Sequence, residues 1–123
     1  MTLFWALDTA LDNIFAEGLD KQIARYQECA KILRDGIREM GLRILLPDDQ
    51  MANTVTSVFL PKEMDLEAFL SDMEAHGYTV YAGKGVFYDQ NMFQVANMGE
   101  IYPRDCRNML RVFKECLETV KNM

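Results

Sequence analysis

Tyr78–Gly99 reads YTVYAGKGVFYDQNMFQVANMG, and this stretch decides the fold. Tyr78 to Ala82 alternates with the period of two that a strand requires. Gly83 to Asn91 comes next as a loop, with Lys84 set between Gly83 and Gly85. Met92 to Ala96 is a second strand, with Phe93 and Val95 on one face and Met92, Gln94 and Ala96 on the other. Ala96-Asn97-Met98-Gly99 is a polar break that releases the chain into a last helix. The residues before this two-strand unit read as its support, and the last helix packs it down.

Working outward, Asn53 to Leu60 (NTVTSVFL) is the clearest strand, rich in β-branched residues and closed by Pro61. Leu42 to Leu46 is a shorter apolar run closed by the turn signal Pro47-Asp48-Asp49. Between the strand pairs, Asp65 caps a helix whose buried stripe is Leu66, Phe69, Leu70 and Met73, and Gly77 ends it. Further upstream, Leu19, Ile23, Tyr26, Ala30, Leu33, Ile37 and Met40 recur in steps of four and three. That seam suits a helix laid across a sheet or another helix as well as a coiled coil, and Gly41 is its left-handed stop. A first helix, capped by Thr2, carries Leu3, Leu7, Leu11, Ile14 and Phe15 at helical spacing, with Phe4 and Trp5 beside them. Gly18 kinks or breaks the path into the second helix. At the other end Pro103 opens a final helix with the stripe Cys106, Met109, Leu110, Phe113, Leu117 and Val120. The expected class is α+β: a small, mostly antiparallel sheet of about four strands with helices on one face, preceded by a long N-terminal helical segment.

A chain of 123 residues, 50% hydrophobic and 26% charged, is one ordinary globular domain. A net charge of −6 excludes the basic face that nucleic acid requires. No apolar run approaches the roughly 20 residues of a membrane span. The start, MTLFWALDTALD, lacks the basic region of a signal peptide, so the expectation is a cytoplasmic protein without membrane partners. Cys29, Cys106 and Cys116 have no metal-like spacing and read as buried thiols in a reducing compartment.

Few residues offer chemistry. His76 is the one histidine, and at a helix C-terminus beside Gly77 an imidazolium interacts favourably with the helix dipole. No second ligand stands three or four residues after it, so no metal site is expected. Asp48, Asp49, Glu63, Asp65, Glu67, Asp72 and Glu74 are scattered over turns and helix surfaces and form no calcium loop. Gly83-Lys84-Gly85 is the pattern with a mechanism: the glycines let the backbone approach an anion and the ammonium supplies charge. It is not a Walker loop, and the plain alternative is a hairpin loop with an exposed lysine. Lys21, Lys31, Lys62, Lys114 and Lys121 lie on helix faces or turns, and Lys84 has no acidic partner. None of them reads as a Schiff-base lysine for pyridoxal phosphate.

Taken in order, Asn53-Thr54-Val55-Thr56-Ser57-Val58, a helix, Gly77-Tyr78-Thr79-Val80-Tyr81-Ala82-Gly83-Lys84 and Met92 to Ile101 (MFQVANMGEI) resemble the C-terminal small domain of class V, fold-type I aminotransferases. The nearest members of that group are the 2-aminoethylphosphonate–pyruvate and alanine–glyoxylate types. Residues 6–19, ALDTALDNIFAEGL, are similar to the long helix that leaves the cofactor domain there. Tyr81-Ala82-Gly83-Lys84 is similar to the Y-P-G-K run of the phosphonate branch, with Ala82 in place of proline. Ala52 likewise stands where serine is common. The resemblance implies that residues 1–17 pack on a missing N-terminal cofactor domain and that residues 18–123 are the small domain. It implies a homodimer, a small amino-acid or aminophosphonate substrate, and pyridoxal phosphate held by the parent enzyme but not by this chain alone. The family's fourth strand reads F-R-I-G, its arginine gripping the substrate carboxylate; here Phe93-Gln94-Val95-Ala96 puts a neutral amide at that place.

Gln94, Lys84 and Gly83 are therefore the candidate substrate-binding residues, with no catalytic, cofactor or metal residue assigned. The leading expectation is a transaminase domain that closes over substrate and is inactive alone. A self-standing α+β module that binds a ligand or partner is the alternative, and it requires the Leu3–Phe15 face to be buried in its own fold or in a homodimer. A complete small enzyme built on Lys84 would lack a supporting histidine or paired acid.

Overall fold

The computed structural model describes residues 1–122. Helix α1 spans Thr2–Glu17 and α2 Leu19–Glu39. Between them Gly18 sits at φ 93°, a left-handed conformation that breaks the helix at little cost only without a Cβ. Thr2 is not the cap expected of it. The Met1 carbonyl already accepts from the Trp5 amide at 3.1 Å, which places Thr2 inside the first turn. Strands β1 (Arg43–Ile44), β2 (Val55–Phe59), β3 (Tyr81–Ala82) and β4 (Met92–Ala96) form one antiparallel sheet in the order β1-β2-β4-β3. Helix α3 (Leu66–Ala75) links β2 to β3, α4 (Val86–Asp89) lies between β3 and β4, and α5 (Pro103–Lys121) closes the chain. The expected α+β class holds.

Three expected strands are shorter than their sequence spans, and Asn53–Leu60 is a strand only over Val55–Phe59. The Tyr78 amide donates to the Met73 carbonyl at 3.0 Å, finishing the end of α3, so Tyr78 cannot enter the ladder. Pairing begins only at Tyr81, opposite Gln94. In Leu42–Leu46, β1 covers Arg43–Ile44, and one further bond, Leu45 amide to Ser57 carbonyl at 3.0 Å, precedes the turn at Pro47. The expected loop Gly83–Asn91 contains α4, a single helical turn too short to show periodicity in sequence.

Helices α2, α3 and α5 cover one face of the sheet. Phe69 of α3, Phe93 of β4 and Phe113 of α5 are fully buried against one another, with ring centroids 5.1–5.8 Å apart. Leu33 and Ile37 of α2 and Val58 of β2 complete this core. In α2 the seam divides: Ala30, Leu33 and Ile37 are buried, while Leu19 and Ile23 remain exposed beyond the sheet. In α5 the buried stripe includes Val112 and Cys116, whereas Leu110 and Leu117 sit at its border. Arg34 is buried with no carboxylate partner among the described residues. Its guanidinium donates to Thr56 Oγ1 at 3.1 Å and to the Ala52 and Val55 carbonyls, which pins α2 to the start of β2.

Helix α1 buries none of its residues; Leu3, Phe4, Trp5 and Phe15 are all more than two-thirds exposed. Its direction is held by Arg25, which forms a two-pronged pair with Glu17 (2.7 and 3.0 Å) across the Gly18 break. The same guanidinium donates to the Gly99 and Ile101 carbonyls and lies near the Tyr26 and Tyr102 rings. No described helix is long and apolar enough to cross a membrane.

Candidate functional site

The face of the sheet that the long helices leave open carries the candidate site. Strand alternation sends Phe93 and Val95 into the core and turns Gln94 outward. In the register, Gln94 stands opposite Ser57 of β2 on one side and Tyr81 of β3 on the other. These residues floor a cavity of about 640 Å³ whose wall includes Gly83, Lys84, Phe87 and Met92. The three sequence-derived candidates, Gly83, Lys84 and Gln94, are thus brought together.

Each is positioned for a local reason. The Gly83 amide donates to the Met92 carbonyl at 2.7 Å, extending the β3–β4 ladder. A Cβ at Gly83 would lie 2.8 Å from Met92 Cε, 2.9 Å from Phe87 Cβ and 3.2 Å from the Met92 carbonyl oxygen. The glycine is therefore what lets α4 close on the strand. Gly85, at φ 61°, reverses the chain immediately after Lys84. The short α4 then folds back, and the Phe87 amide donates to the Lys84 carbonyl at 3.2 Å. Lys84 itself is exposed. Among the described residues it is the only charged one in the cavity lining, and no described carboxylate accompanies it there. Gln94 Nε2 donates to Ser57 Oγ at 3.2 Å. A carboxamide nitrogen carries a second N–H, which remains for an acceptor in the cavity. The arrangement suits a small anion: one ammonium at the rim, a neutral donor on the floor, and apolar walls.

Two supporting residues were not read from sequence. Asn91 adopts φ 62°, a left-handed conformation that asparagine tolerates better than most residues. Its Nδ2 donates to the Pro61 and Met64 carbonyls at 3.0 and 2.9 Å, tying the loop to the β2–α3 corner. Tyr88 Oη donates to Glu67 Oε1 at 2.7 Å, which anchors α4 to α3 and pushes the phenol pKa up. An asparagine directly before a strand was the available signal for the first; nothing local marks the second.

No potential ligand follows His76 three or four residues on, as the sequence shows, but two lie near it in other directions. Asp72, one turn before it, and Cys116 of α5 both approach its ring. The helix register runs backwards as well as forwards, and a residue across a helix pair has no sequence spacing to betray it.

No family model matches the sequence. A 2-aminoethylphosphonate–pyruvate transaminase of Phocaeicola vulgatus is 30% identical over 111 residues, covering 89% of this chain and 30% of that protein. The structure superposes on a ureidoglycine–glyoxylate aminotransferase of Bacillus subtilis with a TM-score of 0.90 at 23% identity, over 98% of this chain and 32% of the other. An alanine–glyoxylate aminotransferase of Nostoc sp. gives a TM-score of 0.85 at 24% identity, over 94% and 31%. The fold is that of an aminotransferase segment, and the chain spans about a third of the length of the relatives it matches.

Proposed function

We propose that this chain is the C-terminal small domain of a pyridoxal-phosphate-dependent aminotransferase of the 2-aminoethylphosphonate–pyruvate type, and that it closes over the substrate's acid group. The observation that carries the reading is the mismatch in coverage: similarity runs through 89% of this chain yet through only 30% of the relative. The apolar face of α1 supports it. Leu3, Phe4, Trp5 and Phe15 are not buried in the chain's own fold, which fits a surface that packs against a further domain; a self-standing module would have to cover them in a homodimer.

In this reading Lys84 neutralises a phosphonate or carboxylate, Gln94 donates to one of its oxygens, and Gly83 keeps the wall close. Gln94 cannot supply the charge of an arginine fork, so the electrostatic grip falls to Lys84. The lining does not fit pyridoxal phosphate as a resident group. The cavity has no acid to pair a pyridine nitrogen, and its one lysine sits exposed at the rim. The cofactor, its lysine and the homodimer contact are assigned to the part of the relatives that this chain does not match.

Titration of the purified chain with pyridoxal phosphate, followed by borohydride reduction and peptide mapping, tests the proposal. The expected result is only slow labelling spread over surface lysines. A stoichiometric red-shifted band that maps to Lys84 would overturn it and make the chain a small cofactor enzyme in its own right.

A further inference from the structure

We propose that Asp72, His76 and Cys116 form a surface site for a borderline divalent transition-metal ion, with Zn²⁺ as the natural occupant. They are the one group of three or more potential ligand side chains that converge among the described residues. Asp72 and His76 are four residues apart on α3, and so share a helix face. Cys116 reaches them from α5 across the helix pair. The site lies outside the sheet cavity and does not depend on the function proposed above.

The separations are compatible with coordination. His76 Nδ1 lies 3.7 Å from Asp72 Oδ1 and 3.7 Å from Cys116 Sγ, and all three ligand atoms fall within 4.8 Å of one another. Zinc bond lengths of about 2.0–2.3 Å in a tetrahedron give ligand-to-ligand edges of about 3.4–3.6 Å. Two edges are thus within a few tenths of an ångström of their bound lengths, and a side-chain rotation can close the third. The donor set is one sulfur, one nitrogen and one oxygen. Hard cations such as Ca²⁺ and Mg²⁺ select oxygen alone, whereas this mixture selects zinc and its neighbours. Burial is graded: Cys116 is buried, Asp72 half-buried and His76 exposed. An ion enters past the imidazole, and a water completes the fourth position on the solvent side. Gly77, at φ 94°, ends α3 beside His76, so no further helical turn crowds the ring.

Without metal, the groups are occupied otherwise. His76 Nδ1 is 2.8 Å from the Asp72 carbonyl, to which its N–H donates in one tautomer. Burial, followed by contact with Asp72, pushes the Cys116 thiol up to about 12, so the sulfur keeps its proton. Coordination moves the imidazole proton to Nε2, frees the Nδ1 lone pair for the ion, and releases the thiol proton to solvent. One proton leaves per ion bound, and no redox change occurs.

Co²⁺ titration of the reduced full chain tests the site, since a thiolate–cobalt bond gives a near-ultraviolet charge-transfer band and four-coordinate cobalt gives visible bands. We expect one ion per chain, displaced by Zn²⁺. His76→Ala removes an exposed side chain and leaves the fold intact; it should weaken binding at least about tenfold. Cys116→Ser should abolish the charge-transfer band. Absence of that band in the unsubstituted chain would overturn the proposal. So would a band that persists in both variants, because Cys29 or Cys106 would then be the ligand.

Discussion

Gly83→Ala is the most informative single substitution. The φ of Gly83 is not left-handed, so the backbone accepts alanine and any penalty comes from contacts. The added methyl would meet Phe87 Cβ at 2.9 Å and the Met92 carbonyl oxygen at 3.2 Å, both against an ordinary contact of 3.4–4 Å. Met92 Cε, at 2.8 Å, can swing aside, but Phe87 Cβ is attached directly to the α4 backbone and the Met92 carbonyl already accepts the Gly83 amide. Relief therefore requires α4 to lift or the β3–β4 bond to stretch. Overpacking of this kind costs about 1–3 kcal/mol, offset by roughly 0.4–1 kcal/mol from the stiffer unfolded chain. The net loss is about 0–2.6 kcal/mol, centred on about 1.3 kcal/mol, or a fall of roughly 0.6 M in the urea midpoint at a slope of about 2 kcal/mol/M. Gly36→Ala is the matched control. Its methyl would lie 2.5 Å from Leu110 Cδ1, a tighter contact, but one made by the tip of a half-buried side chain that can rotate away. It also gains about 1 kcal/mol of helix propensity inside α2. Equilibrium urea unfolding of both variants should show Gly83→Ala as the weaker protein. A Gly83→Ala midpoint equal to or above that of the unsubstituted chain would refute the argument that this glycine sets the closeness of the cavity wall.

Phe113→Ala removes the ring that touches both Phe69 and Phe93 and should cost about 3–5 kcal/mol in the same assay; a loss under about 1 kcal/mol would mean that the three rings are not the centre of the core. Arg25→Ala cuts the ties from α2 to Glu17, Gly99 and Ile101, so limited chymotrypsin digestion should cleave α1 several-fold faster while fragments of the sheet persist. Unchanged cleavage would show that α1 is held by something else. Burial, followed by the neighbouring Cys29 thiol, pushes the Cys106 thiol up to about 12, against about 8.5 for a free thiol. Between those values the unfolded chain binds fewer protons than the folded one. The stability is therefore complete below about pH 8.5 and declines as pH rises towards 12, by up to about 1.4 kcal/mol per pH unit for this thiol. Thermal unfolding between pH 8 and pH 10 should show a smaller decline in Cys106→Ala; an identical slope would remove Cys106 as the cause.

The scaffold was legible because its signals are local and redundant. Asp65 does cap α3, its carboxylate accepting from the Ala68 amide at 3.2 Å, and the glycines at 18, 41 and 77 all take left-handed conformations at helix ends. β4 has the predicted bounds because Met92–Ala96 alternates cleanly and lies between two paired neighbours. The resemblance to aminotransferases, read from the order of short motifs, holds across most of the chain. What stayed hidden was decided by competition for backbone groups or by contacts across elements. Tyr78 looks like a strand residue, yet α3 claims its amide. Asp72 and His76 are visible as a pair only to someone counting backwards, and Cys116 joins them only through the packing of α3 on α5.

The division between covered and open sheet also explains why the candidate cavity lies where it does. Three long helices exhaust one face of a four-stranded sheet, so any polar residue on that face must be tied down, as Arg34 and Thr56 are. The opposite face has only the single turn of α4 to shelter it. Phe59 and Met92 are nevertheless buried there, the first under the Arg43 guanidinium 4.0 Å from its ring and the second beneath Phe87 and Gly83. Phe59 and Met92 pair directly with each other, and beside that covered end Ser57, Gln94 and Tyr81 form a polar strip across β2, β4 and β3. An exposed polar strip alone is an ordinary solvated sheet face. Here it adjoins a lysine between two glycines and a helix turn pinned by Tyr88 and Asn91, so the wall is held in place before any ligand arrives. The proposed anion site therefore rests on the Gly83–Asn91 segment as much as on Gln94.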